Sequence, residues 1–402
     1  MRKILLLALF AVFTSLFGLK SQDVINLSTT DKIDEVLTAY TGNNVVLVIP
    51  SGYTNPQETN NISIPLLPEG TKITIKGDGS NPTLAIKGFT LPTGLKLSLF
   101  KLQDLNVTGY SSDPKLSYVI NVSSGVAVTL DEVTFENCNL STMRSLIRFQ
   151  DSNTDNQYVQ FAKAINITNC IVYNFADYGV VYNNKTGATF GPIIAKNSTF
   201  YGFGENVFMC QTNTVSVSIS DCTFDSNISN TGKYIVDLNA QKSPITVTNC
   251  IFGKSLSVAK SFRTGGTLTF ENSYNTTDYS LTAPTATDGI TGALISYANA
   301  STSLFKTPTV ITGSGSTQAC TFGDYSIIDG TFAGATNAGD PRWYYVPMSV
   351  NGLDANKAVI QIEYFDVLGK QIKHNSTGIV LQRIKYDDGT SSTFKTYIRS
   401  EK

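Results

Sequence analysis

The pattern apolar-x-apolar-x-Asn-(Cys/Ser)-x-apolar recurs down the middle of this 402-residue chain, and such a repeat restricts the fold before any single residue is weighed. Copies lie at residues 100–107 (Asp104 in the Asn position), 128–135 (Glu132), 165–172 (Asn169), 193–200 (Asn197), 217–224 (Asp221), 245–252 (Asn249) and 268–275 (Asn272). Successive turn positions are 28, 37, 28, 24, 28 and 23 residues apart, inside the range of repeat architectures. Such steps are too short for a unit containing a helix, but suit three short strands and three turns. The alternation within each copy, as at Ile165 and Ile167 or Ile245 and Val247, has period 2 and therefore marks strands with one buried face.

A second apolar strand precedes each copy, at 118–122, 146–149, 179–182, 207–210, 234–238 and 260–263. Stacking such coils builds parallel sheets around an apolar interior. The predicted fold is all-β: a right-handed parallel β-helix with an N-terminal capping helix and a small C-terminal antiparallel β-module. The predicted division is 1–21, 22–345 and 346–402 for leader, β-helix and module.

The Asn-turn rungs resemble those of the pectate-lyase-like β-helix superfamily, and the segment Gly339-Asp340-Pro341-Arg342-Trp343 resembles the motif that closes the helix in a group of uncharacterised Bacteroidetes secreted proteins. The resemblance spans roughly residues 22–345. It implies the fold and leaves the chemistry open, because lyases, hydrolases, esterases, adhesins and inert surface proteins share it.

Arg2 and Lys3, the apolar run 4–17 and the small and polar residues 18–22 read as a secretory signal peptide with cleavage after Ser21. No Cys lies near the end of that run, so a lipid anchor at the new N-terminus is not expected. Losing Arg2, Lys3 and Lys20 moves the formal net charge from −1 to −4, which disfavours nucleic acid as a partner. Charged residues make up only 15% of the chain, a balance suited to an extracellular β protein. Six cysteines in an exported chain invite a disulfide reading. Cys170, Cys222 and Cys250 share one slot with Ser198 and Ser273, however, so the slot selects small side chains. Stacked Cα–Cβ vectors there run parallel, a poor geometry for a disulfide, so buried free thiols are expected. Cys138, Cys210 and Cys320 show no metal-ligand spacing.

Residues 28–40 read as an amphipathic helix with Ile33, Val36, Leu37 and Tyr40 on one face and Thr30 or Asp31 as N-cap. Regular coils are predicted over about 95–274, an irregular stretch over 275–292, and a last degenerate coil over 304–343. Strands at 359–365, 378–386 and 393–399 form the C-terminal module. Its segment Tyr364-Phe365-Asp366-Val367-Leu368-Gly369-Lys370, with Gly378-Ile379-Val380 and Lys395, resembles the sorting domain of type IX secretion cargo, with Val380 where that domain usually carries an aromatic. The resemblance implies the export machinery as a partner; the alternative is an ordinary β cap.

The single histidine, His374, lies in the module. A Ser-His-Asp triad, a Cys-His pair or a His-ligated metal within the β-helix is therefore excluded. Carboxylate pairs, or Asp-bound calcium with an Arg or Lys base, remain. By resemblance to pectate-lyase-like enzymes the working face is the strand preceding each Asn turn, with outward positions Asn121, Arg148, Val181, Met209, Asp237 and Ser261. Arg148 and Asp237 are three coils apart, about 14 Å at the usual strand spacing, too far to share a substrate bond. Loops add Asp151, Asp155, Asp177, Lys185 and Glu205, and calcium is the one metal that Asp151, Asn153 and Asp155 would suit. Tyr173, Tyr178, Tyr182, Tyr201 and Phe203 lie in the same coils and could stack on sugar rings or serve as core. The ligand-binding candidates are Arg148, Asp151, Asp177, Tyr178, Tyr182, Tyr201 and Asp237; Asn169, Asn197, Asn249 and Asn272 form a structural ladder. The leading expectation is an exported, monomeric, surface-associated or secreted protein that binds polysaccharide or a cell-surface glycan without catalysis, metal or cofactor. It would be periplasmic if the module is not a sorting signal. A divergent polysaccharide lyase or glycosidase and a structural or adhesive surface protein are the alternatives.

Overall fold

The computed structural model describes residues 22–110, 116–152, 160–175, 177–313, 318–346, 359–366, 369–372, 378–386 and 390–398. Among them, strands of successive coils stack into three parallel sheets of 13, 9 and 9 strands. The chain is a parallel β-helix. The first sheet runs from Asp23–Asn26 to Ile290–Thr291, the second from Asn61–Ser63 to Thr285–Ala286, and the third from Thr83–Ile86 to Ile295–Ser296. Coils thus begin well before residue 95, and the stretch expected to be irregular supplies one further coil.

The period-2 pattern becomes columns of side chains. On the inner face of the first sheet Leu47, Ile75, Leu102, Phe135, Ile167, Ala195, Ile219, Val247 and Phe270 lie in register, all buried. On the inner face of the third sheet Phe200, Phe224 and Phe252 stack with centroids 4.9 and 5.0 Å apart. Each buried Phe or Leu contributes about 1.5–3 kcal/mol relative to exposure.

The turn between the first and third sheets needs one residue in the left-handed region. Asp104, Asn137, Asn169, Asn197, Asp221, Asn249 and Asn272 have φ of 54, 54, 54, 50, 53, 53 and 42°. Asn and Asp tolerate that region best among residues with a Cβ. Asn137, rather than Glu132, is the turn residue of its coil, so that copy is 133–140 and Cys138 joins the small-residue slot. The slot has a shared chemistry: the Cys138, Cys170, Ser198, Cys222, Cys250 and Ser273 side chains each donate to the carbonyl two residues earlier, at 2.8–3.3 Å. All six cysteines are free, and burial pushes the Cys138 and Cys222 thiols well above their usual range.

The helix Ile33–Ala39 buries Ile33 and Leu37 and links the first two strands of the first sheet. Its N-cap is Lys32, which makes no side-chain cap bond. Asp31, expected there, instead accepts from Ser28 N and Oγ at 2.8 and 2.6 Å.

Residues 299–313 and 318–345 are not a coil. They return as a strap along the outside of the third sheet, whose outward columns are Ile171, Thr199, Thr223, Ile251 and Tyr274 beside Tyr173, Tyr201 and Asp225. Apolar groups on an outward face require a cover, and Phe305, Tyr325, Phe332 and Trp343 of the strap bury Ile171, Tyr201, Ile251 and Tyr274 in a second core. The Gly-Asp-Pro-Arg-Trp segment locks it. Asp340 accepts from Thr199 Oγ1 at 2.7 Å, Trp343 Nε1 donates to the same hydroxyl at 2.7 Å, and Arg342 pairs with Asp340 while donating to the Asn169 and Cys170 carbonyls at 3.2 and 2.7 Å. Gly339, at φ 80°, lies so close to Ile251 and Thr223 that a Cβ would sit 2.8 Å from each. Farther along, Val359–Phe365, Gln371–Ile372, Gly378–Tyr386 and Ser391–Ile398 form a small antiparallel sheet.

Candidate functional site

The register of the second sheet defines its outward column as Asn121, Arg148, Tyr182, Met209, Asp237, Arg263 and Thr285. Two expected members shift: Tyr182 replaces Val181, which is core, and Arg263 replaces Ser261. The strand Ser145–Phe149 presents Arg148 outward, and the loop before it presents Arg144. On the next coil, the loop before Gly179–Asn183 brings in Asp177 and Tyr178, and the strand itself brings in Tyr182.

These residues form one guanidinium–tyrosine cluster. Arg144 Nε donates to Asp177 Oδ2 at 2.8 Å and its NH2 to Tyr178 Oη at 2.9 Å, with the guanidinium 4.1 Å from the Tyr178 ring centroid. Arg148 NH1 donates to Tyr118 Oη at 2.9 Å, and its guanidinium lies 5.5, 5.0 and 5.7 Å from the rings of Tyr118, Tyr178 and Tyr182. The Tyr178 and Tyr182 rings lie 4.0 Å apart at 30°. Among the described residues Arg148 has no carboxylate partner, and its buried Nε has no hydrogen-bond partner.

Burial first, and then neighbouring Tyr178, push the Tyr182 phenol above its ordinary range; Arg148 opposes this, and Asp177 and Glu205 add to it. Burial works against the charge on Arg144, but Tyr118, Asp177 and Tyr178 outweigh it and raise its pKa. Asp177 and Glu205 therefore both act on the Tyr182 hydroxyl from adjacent coils. Each is held by a cation, Asp177 by Arg144 and Glu205 by Lys233 at 2.7 Å.

The other candidates lie elsewhere. Asp151 is buried, 1% exposed, at the end of the Arg148 strand, where its backbone N–H donates to Gln160 Oε1 at 3.0 Å; Asn153, Asp155 and His374 fall outside the described residues. Asp237, 2% exposed, is saturated by Gln211, Asn239 and both Nε and NH2 of Arg263. Tyr201 is absent from this face: it lies on the third sheet, fully buried beneath the strap and stacked 5.0 Å from Tyr173. Phe203 stacks on Phe175 inside the coil. Among the described residues no group of three or more His, Cys, Asp and Glu side chains converges as a metal site requires.

The Asn ladder is made in two runs. Amide bonds of 3.0 and 3.1 Å link Asn137 to Asp104 and Asn169 to Asn137, and bonds of 3.0 and 2.9 Å link Asn249 to Asp221 and Asn272 to Asn249. Asn197 keeps the turn conformation without joining either run. Tyr118 and Arg144 are the members of the cluster that sequence reasoning missed; each stands at or just before the start of a predicted strand, where a loop residue and an outward residue look alike. The chain matches no family model and no curated protein.

Proposed function

We propose that the chain is an exported, surface-associated or secreted β-helix protein that binds polysaccharide through the guanidinium–tyrosine face. The observation that carries this reading is Arg148, without a carboxylate partner among the described residues, set between the buried Tyr118 ring and the partly exposed Tyr178 and Tyr182 rings. Aromatic faces stack on the C–H faces of sugar rings, and a guanidinium supplies several fixed donors for hydroxyl or acidic oxygens. Asp177 and Glu205, each ion-paired, serve in this account to orient the cations rather than to transfer protons. The Asn-turn rungs support kinship with pectate-lyase-like proteins, the Gly-Asp-Pro-Arg-Trp latch supports kinship with the Bacteroidetes secreted group, and the C-terminal sheet supports a sorting role in type IX export.

A glycan array probed with the chain lacking residues 1–21 tests this reading. Selective capture of polysaccharide fragments is expected. Uniform absence of binding across neutral and acidic glycans would leave the structural or adhesive surface protein as the better account.

A further inference from the structure

The end of the solenoid farthest from Asp23 is not filled. The inward column of the first sheet runs unbroken to Phe270, and the position that follows it in register is Gly292. Gly292 has φ 72°, and a Cβ there would lie 2.1 Å from the Phe270 carbonyl oxygen, so no side chain can continue the column. A cavity of about 190 Å³ opens there between the last two coils. Its walls are Phe262, Phe270, Leu281, Pro284, Ile290 and Leu294, with no charged residue among those lining it.

Two hydroxyls interrupt this apolar lining. Tyr279 and Thr282 both line the cavity, and their hydroxyl oxygens, Tyr279 Oη and Thr282 Oγ1, are buried with no hydrogen-bond partner among the described residues. Ser261 lies beside the phenol, but its hydroxyl donates to the Thr282 carbonyl at 2.7 Å. Buried hydroxyls without partners cost free energy, whereas the same donors aimed into a cavity satisfy a ligand oxygen or a water. A cavity of roughly 150 Å³ lined by aliphatic and aromatic side chains is large enough to hold a benzene ring. The absence of charge disfavours ionised ligands, which would lose hydration without compensation.

We propose that this terminal cavity is a binding site for a neutral, single-ring apolar molecule bearing one acceptor oxygen, held by Tyr279 Oη and Thr282 Oγ1. The site is independent of the polysaccharide face.

Saturation-transfer NMR with the full chain tests it, using acetophenone as the neutral ring with a carbonyl, toluene as the ring without one, and benzoate as the charged ring. Acetophenone is expected to bind, toluene about fivefold more weakly for want of the hydrogen bonds, and benzoate not at all. Tyr279→Phe combined with Thr282→Val keeps the shape and should bring acetophenone down to the affinity of toluene. If acetophenone shows no transfer at millimolar concentration, the hydroxyls are satisfied by water and the proposal fails. It fails equally if benzoate competes with acetophenone, or if the double variant, shown folded by circular dichroism, binds acetophenone as the parent does.

Discussion

Arg342→Met should release the strap. The Asp340 side chain is completely buried, and that of Arg342 is 32% exposed. The substitution leaves a buried carboxylate with only the Thr199 hydroxyl and the Arg342 backbone N–H as donors, at 2.7 and 3.1 Å. It also deprives the Asn169 and Cys170 carbonyls of the guanidinium. Breaking a buried ion pair costs about 3–5 kcal/mol, and partial exposure of the arginine places the expected loss at the lower end, about 3 kcal/mol. Because the strap packs on the outside of the third sheet and the turns beside it, the loss should appear as local opening. Hydrogen–deuterium exchange at Tyr325, Ile327 and Trp343 should then accelerate about 100-fold, while amides of the second sheet keep their protection. Replacing both partners, Asp340→Asn with Arg342→Met, should recover part of the protection, since no charge is left alone. Unchanged exchange in the strap of Arg342→Met would refute the latch.

Three further outcomes are expected of this fold. Burial pushes Asp225, beneath the strap, up to about 6, with Asp278 adding to the rise and Ser226, Lys254 N and the Tyr325 hydroxyl opposing it. A carboxyl that is harder to ionise folded than unfolded stabilises the fold at low pH, so stability should fall by about 3 kcal/mol as pH rises from 3 to 7; thermal melts of Asp225→Asn should lack that slope. In the turn column Asn249→Leu loses amide bonds to both neighbours as well as an Asn at φ 53°, and should cost about 2–4 kcal/mol by urea unfolding. Asn197→Leu loses only the favourable turn residue, about 1–2 kcal/mol, and equal costs at the two sites would sink the distinction. A chain ending at Tyr345 should keep the β-helix circular dichroism signature yet fail to reach the cell surface of its native host; normal display would reduce the C-terminal sheet to a cap.

The repeat made the coils legible because two local rules, alternation of period 2 and a left-handed Asn or Asp at each turn, act within a few residues. Where two apolar stretches abut, as at Val128–Leu130 and Val133–Glu136, both satisfy the alternation, and Glu132 is mistaken for the turn that Asn137 makes. A one-residue slip on the second sheet likewise exchanges Val181 for Tyr182, since both are plausible strand residues and only the paired register separates them. The strap was illegible for a different reason. Its anchors join residues 141 and 172 positions apart, Thr199 to Asp340 and Cys170 to Arg342, and no periodicity links such partners. Tyr201 was misplaced by the same gap: it does point out of the coil, but the strap covers it. The site itself was half visible, as Arg148, Asp177, Tyr178 and Tyr182 do meet, while Asp237 is spent on Arg263.

The most direct test of the central claim is a calorimetric titration of the strongest array glycan against the parent chain and Tyr178→Ala with Tyr182→Ala. The two rings provide most of the stacking surface on the proposed face, so the folded double variant should bind at least tenfold more weakly, about 1.4 kcal/mol. Tyr201→Phe, buried under the strap, should bind as the parent does. A folded double variant with parental affinity would place the glycan elsewhere and contradict the account.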